Sequence, residues 1–276
     1  MTATAPRLRA FLDSAGPAAL VEVADAKGST PRERGAQMLV SAEGIFGTIG
    51  GGTLEFMAID RAREMLREDG QADAKSVFLD VPLGPEIGQC CGGRVSVQIR
   101  PIDPVLRQNL VETAEAEDAR RPHVYVFGGG HVGHALSSAF ALLPLHVTVI
   151  ETRADALEGM PETVATRLTP VPEQVVRSAP SGSAFVILTH DHALDFLIVS
   201  EALVRTDAAY VGMIGSKTKK ATFRSWFEKN GGNAADFSRL ICPIGGETVK
   251  DKRPAVIAAL AAAEIMTALF SAVRKA

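Results

Sequence analysis

The sequence predicts an α/β protein in which a smaller N-terminal α+β domain precedes a Rossmann-like domain with a doubly wound parallel sheet. Three observations predict this fold class. From residue 123 onward, short apolar runs alternate with helical stretches. A glycine-rich turn at residues 128–133 joins the first of these runs directly to a helix. The first hundred residues contain instead a hairpin and a strand of alternating polarity.

Length and composition argue against several broad classes of protein. A chain of 276 residues is long enough for two domains of ordinary size. A net charge of −3, with one Trp and two Tyr, argues against binding of nucleic acid. We find no run of about 18 apolar residues, as a membrane span requires, and no apolar core of a secretory signal. Three cysteines give no disulfide framework, so we expect a cytoplasmic protein.

The N-terminal domain is predicted to span residues 1–104. Apolar runs at residues 18–23, 36–40, 44–49, 77–79 and 95–99 predict its strands, the second and third forming a hairpin. After the third strand, apolar residues at helical spacing predict a helix; they are Leu54, Ala58, Ala62, Met65 and Leu66. Residues 105–121 then form an acidic linker helix that ends before Pro122.

The Rossmann-like domain is predicted to span residues 122–276. Its strand candidates lie at residues 124–127, 146–150, 165–168, 185–189, 210–214 and 240–242. The last of them precedes an Ala-rich helix at residues 254–270. In such a sheet, ligands bind beyond the carboxyl ends of the strands, so the strand-to-helix loops are the candidate sites.

The first of these loops resembles a phosphate-binding turn. Gly128, Gly130 and Gly133 fit the spacing G-x-G-x-x-G, which lets a backbone approach a phosphorylated ligand at a helix N-terminus. Glu151 follows the second strand, about 20 residues on, where a dinucleotide site has its ribose-binding acid. His131 begins the helix and is a candidate ligand contact. The alternative is that the glycines only allow the helix and strand to pack closely.

Two later loops contain further candidate ligand groups. His190 and Asp191 follow the strand at residues 185–189 and suit metal binding or proton transfer. Asp191 is also expected to cap the next helix. Gly215, Ser216 and Lys217 begin another helix and predict an anion site, the alternative being a solvated run of charge.

A carboxylate also falls on the apolar side of the last helix. Ile257, Leu260, Ala261 and Ile265 share one stripe with Glu264, which should therefore be buried. A buried carboxylate needs a hydrogen-bond donor. A ligand group, a lysine or backbone N–H groups would serve, and so would an ordinary internal hydrogen bond.

The N-terminal domain has a glycine turn of its own. Gly50, Gly51 and Gly52 precede a helix that contains Glu55 in its first turn. Exposed N–H groups at such a helix start predict a second anion-binding cradle.

A cysteine loop lies close to the end of the same domain. Cys90 and Cys91 stand directly before Gly92 and Gly93. A thiolate there, helped by Arg94, could act as a nucleophile, transfer sulfur or contact a metal. Buried, inert thiols are the usual case.

Together these motifs resemble the XdhC/CoxI family of accessory proteins, which serve xanthine dehydrogenase and related molybdenum hydroxylases. The resemblance covers nearly the whole chain. Its strings include Gly28-Ser29-Thr30-Pro31-Arg32, Gly47-Thr48-Ile49-Gly50-Gly51-Gly52-Thr53-Leu54-Glu55, Cys91-Gly92-Gly93, Gly128-Gly129-Gly130-His131-Val132, Thr189-His190-Asp191, Gly212-Met213-Ile214-Gly215-Ser216-Lys217 and Ala263-Glu264-Ile265. Their order along the chain is as specific as the strings themselves.

The resemblance implies a cytoplasmic chaperone that binds the molybdenum cofactor, Mo-molybdopterin, and has no catalytic residues of its own. It implies that a cysteine desulfurase sulfurates the held cofactor, which then passes to apo xanthine dehydrogenase. Members are expected to be homo-oligomers, commonly homodimers. Cys91 is then a candidate molybdenum contact. The candidate cofactor-binding residues are Gly50, Gly51, Gly52, Glu55, Cys90, Cys91, Gly92, Gly93, Gly128, Gly130, His131, Gly133, Glu151, His190, Asp191, Gly215, Ser216, Lys217 and Glu264.

Two other functions remain open from the residues alone. An NAD(P)-dependent oxidoreductase would use the turn at residues 128–133 with Glu151, and a histidine of residues 190–192 as acid or base. A metal-dependent hydrolase would use His190, Asp191, His192 and Asp195. Neither explains the first hundred residues or the cysteine loop.

Overall fold

The chain forms two compact units, Met1–Arg120 and Arg121–Ala276. We call them the N-terminal unit and the C-terminal unit. The structure, a computed structural model, describes residues 5–68, 76–84 and 92–271.

The N-terminal unit is built on an antiparallel five-stranded sheet in the order β3-β2-β1-β5-β4. Strand β1 lies at its centre and is buried on both faces over its first half. The register of the pairing between β1 and β5 shifts between Val23 and Asp25, where β1 has a bulge. The strands are β1 (Ala18–Lys27), β2 (Gln37–Ser41), β3 (Ile45–Gly47), β4 (Val77–Pro82) and β5 (Arg94–Pro101).

Helices cover both faces of this sheet. The helices are α1 (Ala5–Ser14), α2 (Gly52–Glu68) and α3 (Pro104–Ala119). Leu54, Ala58 and Ala62 of α2 pack with Val21 and Val23 on one face. The opposite face packs against α1 and α3 through a smaller cluster that includes Leu20 and Leu39. Helix α3 begins at the N-cap Asp103, whose side chain accepts the Leu106 N–H at 2.7 Å.

The C-terminal unit contains a six-stranded, all-parallel sheet in the order β11-β10-β9-β6-β7-β8. Counted within this unit, the order is 6-5-4-1-2-3, which is that of the doubly wound dinucleotide-binding fold. The predicted fold class is therefore confirmed. The strands are β6 (His123–Phe127), β7 (His146–Glu151), β8 (Ala165–Leu168), β9 (Ala184–Ile187), β10 (Tyr210–Met213) and β11 (Leu240–Ile241).

Helices lie on both faces of the parallel sheet. They are α4 (His131–Phe140), α5 (Glu173–Ser178), α6 (His192–Val204), α7 (Lys217–Lys229), α8 (Ala234–Ser238) and α9 (Pro254–Ser271), with a 3-10 helix at Asp155–Leu157. Helices α4 and α9 pack over Val124 and Val126. Helices α5, α6 and α7 pack over Phe127 and Phe185 on the other face. Strand order reverses between β6 and β9, so a crevice opens at their carboxyl ends.

Helix α9 corrects one sequence expectation. Judged by length and composition alone, this helix of 18 residues could cross a membrane. However, Ala258, Ala261, Ala262, Ile265 and Leu269 are buried in the core of the C-terminal unit. The apolar run therefore builds a face that packs on α4 and the sheet.

A buried ion pair joins two loops at the carboxyl edge of the sheet. Asp195 of α6 is fully buried, and its Oδ2 accepts a hydrogen bond from Lys219 Nζ of α7. Asp195 Oδ1 also accepts the Thr189 N–H at 2.9 Å. Lys219 Nζ donates to the Ile214 carbonyl at 3.0 Å as well. The pair thus fixes the loops after β9 and β10 to each other.

Replacing Lys219 with Met leaves the Asp195 carboxylate buried without its cation. We expect a loss of about 3–5 kcal/mol in the free energy of unfolding, because one charge of a buried pair is removed. Lys217 is the matched control, since it lies on the same helix, is 82% exposed and pairs with Glu247. Lys217→Met should change the stability by less than about 0.5 kcal/mol. Urea unfolding of both variants measures the difference, and equal losses would contradict the assignment.

Candidate functional site

A cleft of about 260 Å³ opens at the point where the strand order of the C-terminal unit reverses. We call it the switch-point cleft. It is lined by Gly128, Gly130, His131, Val132, Glu151, Arg153, Leu188, Thr189, His190 and Ile214. The structure thus brings together five residues that the sequence predicts for the site: Gly128, Gly130, His131, Glu151 and His190. It adds Arg153, which belongs to none of the sequence motifs described above.

The glycines of the loop between β6 and α4, and Gly133 in the first turn of α4, have different roles. Gly128 has a φ of 120°, and a Cβ there would lie 2.4 Å from the Leu188 carbonyl oxygen. A Cβ at Gly133 would lie 2.1 Å from the Gly128 carbonyl oxygen. These two glycines therefore permit close packing. A Cβ at Gly130 would meet nothing within 4 Å, so this position faces open space beside the cleft.

The carboxylate of Glu151 anchors the glycine loop from the neighbouring strand. Its Oε2 accepts the Gly129 N–H at 2.9 Å, which joins the end of β7 to the turn after β6. Its Oε1 accepts the N–H groups of Thr152 at 2.8 Å and Arg153 at 3.2 Å. The Arg153 guanidinium lies within 3.4 Å of both oxygens. These donors fill the acceptor positions of the carboxylate, which leaves none for a ribose hydroxyl.

The electrostatic state of Glu151 follows from these contacts. Burial raises the pKa of this carboxyl group, but the hydrogen bonds from Gly129, Arg153 and Thr152 outweigh it and bring the pKa to about 2. In turn, the hydrogen bond to Glu151 raises the pKa of the Arg153 guanidinium. The pair is therefore fully ionised at neutral pH.

Arg153 could have been found from its position in the sequence. It stands two residues beyond Glu151, in the loop after a strand, which is where ligand groups of this fold lie. Its side chain is 43% exposed and lines the cleft.

The loop after β9 places His190 at the cleft, whereas Asp191 and Asp195, which follow it, bind other groups of the protein. Asp191 caps α6, as the sequence predicts, by accepting the Ala193 N–H at 2.8 Å. Asp195 is bound to Lys219. Across residues 5–68, 76–84 and 92–271, no group of three or more His, Cys, Asp or Glu side chains could hold a metal ion. The hydrolase hypothesis based on His190, Asp191, His192 and Asp195 thus lacks an assembled ligand set.

The predicted anion site at the start of α7 is occupied by internal contacts. Ser216 is the N-cap and accepts the Lys219 N–H at 3.2 Å. Lys217 pairs with Glu247 at 3.0 Å. Gly215 packs against other groups, since a Cβ there would lie 2.9 Å from Lys219 Cδ. None of Gly215, Ser216 and Lys217 lines the switch-point cleft.

Glu264 has an internal partner that the sequence did not identify. Its Oε1 accepts the Tyr210 hydroxyl at 2.6 Å and the Gly245 N–H at 3.3 Å. Burial, with the hydrogen bond to Glu264, raises the pKa of Tyr210. The Tyr210–Glu264 hydrogen bond joins β10 to α9. It is the ordinary internal hydrogen bond that was one of the alternatives predicted for Glu264.

In the N-terminal unit, the cradle predicted at Gly50, Gly51 and Gly52 is filled by Glu55. The Oε2 atom of Glu55 accepts the N–H groups of Ile49 at 3.1 Å and Gly51 at 3.0 Å, and the Thr48 hydroxyl. The protein's own carboxylate therefore takes the place that an external anion would have at these N–H groups.

The cysteine loop is only partly described. Cys90 and Cys91 lie outside the described residues. Gly93 allows close approach of two chain segments, since a Cβ there would lie 2.3 Å from the Ser29 carbonyl oxygen. Gly92 has a φ of 66° and bridges Ser29. Arg94, expected to assist a thiolate, is bound to Asp80 through two hydrogen bonds.

Two family models match this chain. The one described as the XdhC Rossmann domain matches residues 124–265, which is more than half of the chain. The one described as the XdhC and CoxI family matches residues 11–77.

Two individual proteins show similarity over most of the chain. "Uncharacterized protein YqeB" of Escherichia coli is 28% identical to it, over 91% of this chain. The aligned region is 43% of that relative, so the chain spans less than half of its length. A crystal structure described as a xanthine dehydrogenase from Bacillus halodurans superimposes with a TM-score of 0.81. It covers 98% of this chain and 96% of that chain at 17% identity, and thus shows the fold alone.

Gly133→Ala should destabilise the glycine loop, because the new methyl group overlaps the Gly128 carbonyl oxygen. We expect a loss of about 1–3 kcal/mol in the free energy of unfolding. Gly130→Ala is the matched control; its φ of −73° suits alanine, and the change should cost less than about 1 kcal/mol. Chemical denaturation of both variants tests this, and a larger loss for Gly130→Ala would refute it.

The pKa of Glu151 predicts a pH dependence of stability. Because this pKa falls from 4.5 to about 2 in the folded protein, its contribution is complete above about pH 4.5 and is lost as the pH falls towards 2. The contribution is on the order of 3 kcal/mol. Glu151→Gln does not titrate, so the stability gap between wild type and variant should narrow over this interval in urea unfolding. A constant gap would contradict the assignment.

Proposed function

The chain belongs to the XdhC and CoxI family, and from this premise we propose that it is an accessory protein for the maturation of xanthine dehydrogenase. In this proposal it binds the molybdenum cofactor while a cysteine desulfurase sulfurates it, and then delivers it to the apo-dehydrogenase. It acts in the cytoplasm as a homodimer and has no turnover of its own.

The observation that supports this proposal most is the open position at Gly130 in the switch-point cleft. A Cβ at Gly130 would meet nothing within 4 Å, in contrast to Gly128 and Gly133, so the space beside the backbone is available to a ligand. Helix α4 begins there, with Gly130 as an N-cap that makes no side-chain cap hydrogen bond. The N–H groups and the positive dipole end at such a helix start favour an anion.

The chemistry of the lining fits the anionic end of the proposed cofactor. Molybdopterin has a phosphate group and a flat polar pterin. Arg153, His131 and His190 supply donors around the cleft, while Val132 and Ile214 supply apolar surface. The volume of the switch-point cleft, about 260 Å³, is below the roughly 300–1,000 Å³ of sites that hold a whole ligand. The cleft therefore suits one end of the cofactor. When bound, the cofactor would supply the molybdenum centre that the client uses, and this chain would hold and shield it.

The occupied carboxylate of Glu151 weighs against the NAD(P)-dependent oxidoreductase. In such enzymes the acid after the second strand binds a ribose hydroxyl. Here that acid is buried and accepts hydrogen bonds from Gly129, Thr152 and Arg153.

Protein expressed in cells that make the molybdenum cofactor should contain molybdenum and pterin after purification. Gly130→Val fills the open position with a branched side chain and should lower both contents at least tenfold. Metal analysis and pterin fluorescence measure the contents, and thermal unfolding verifies that the variant is folded. Absence of both from carefully prepared wild type, with a large thermal shift on adding NAD or NADP, would favour the oxidoreductase instead.

The same assay tests the proposed roles of Cys90 and Cys91. We propose that Cys91, and Cys90 beside it, contact molybdenum or relay sulfur. Replacing both with Ser should then reduce cofactor retention or activation of the client. If both stay at the wild-type level, these roles are withdrawn while the binding proposal stands.

A further inference from the structure

The acid at the end of β7 is not available to a ligand, and this changes what the switch-point cleft can recognise. In a dinucleotide site this acid binds the ribose diol. The Glu151 side chain is 3% exposed, and its oxygens already face N–H groups of Gly129, Thr152 and Arg153. A neutral diol placed here would find no free acceptor.

The charged group that does face the cleft is Arg153. Its Nε and Nη2 atoms lie 3.4 Å and 3.3 Å from the Glu151 oxygens, which orients the guanidinium without using all of its donors. Among the described residues, its Nη1 atom has no hydrogen-bond partner. Asp155 attracts the guanidinium as a second, weaker negative charge. The side chain stays 43% exposed, so a ligand can reach it.

A guanidinium held in this way suits a phosphate group. Its planar set of N–H donors matches two phosphate oxygens at once, which an ammonium group cannot do. In nucleotide-binding folds, an arginine near the acid position accommodates a phosphate where others bind a hydroxyl. The apolar side chains of Val132, Leu188 and Ile214 exclude water from part of the cleft and strengthen such a contact.

We propose that Arg153 determines the specificity of the switch-point cleft, by selecting ligands with a terminal phosphate group over ligands that offer only a sugar diol. This inference rests on the proposed function, because it takes the cleft to be the ligand site. It identifies the ligand class as phosphate monoesters and assigns recognition to a residue outside the glycine motif.

The test uses inorganic phosphate as the probe, on protein purified from cells that cannot make the molybdenum cofactor. Thermal unfolding and ³¹P line broadening are measured in phosphate and in chloride of equal ionic strength. Wild type should be stabilised by phosphate, and Arg153→Gln should bind it at least tenfold more weakly. Arg177→Gln is the matched control, since Arg177 forms an exposed ion pair with Glu201 away from the cleft and should respond like wild type.

Arg153→Lys is a second variant that keeps the test valid if Arg153→Gln fails to fold. It keeps the positive charge and loses the planar set of donors. It should bind phosphate with an affinity between those of wild type and Arg153→Gln. Equal phosphate binding by wild type and both Arg153 variants, or no binding by wild type, would overturn the inference.

Molybdenum and pterin contents of the same proteins separate this inference from the proposed function. Phosphate binding that depends on Arg153, in a protein that never retains the cofactor, would support the inference and refute the proposed function. Retention of the cofactor, together with phosphate binding that does not depend on Arg153, would support the proposed function and refute the inference.

Discussion

The buried carboxylate of Glu151 is the contact on which the candidate site depends. It joins the glycine loop after β6, the end of β7 and the guanidinium of Arg153 through hydrogen bonds of 2.8–3.4 Å. Without it, the Gly129 N–H would lose its partner and Arg153 would lose its orientation. The carboxylate therefore has a structural role, and the neighbouring residues that line the cleft are the ones that can contact a ligand.

Internal carboxylates occupy backbone cradles in both units. Glu55 accepts the N–H groups of Ile49 and Gly51 at the turn before α2, and Glu151 accepts one N–H from the turn after β6. Asp195 accepts the Thr189 N–H in the same manner while bound to Lys219. Loops rich in glycine gain a defined shape from such contacts. The switch-point cleft differs because Gly130 and the first turn of α4 stay open beside it.

The parts of the fold that depend on local pattern could be predicted from the sequence. The parallel strands follow from short apolar runs between helices, and the Asp191 cap follows from its position before α6. Partners that are distant in sequence could not be predicted, because no local pattern reports them. Tyr210 and Glu264 are 54 residues apart, and Asp195 and Lys219 are 24 apart. Arg153 belongs to no recognised motif, so its position two residues beyond Glu151, in the loop after a strand, is the one local signal for it.

A crystal structure of the protein loaded with the molybdenum cofactor tests the central claim most directly. Density for the cofactor's phosphate should lie within hydrogen-bond distance of the Arg153 guanidinium, beside Gly130, with Glu151 still bound to the Gly129 N–H. Cofactor density elsewhere on the chain, with the switch-point cleft filled only by solvent, would contradict the account.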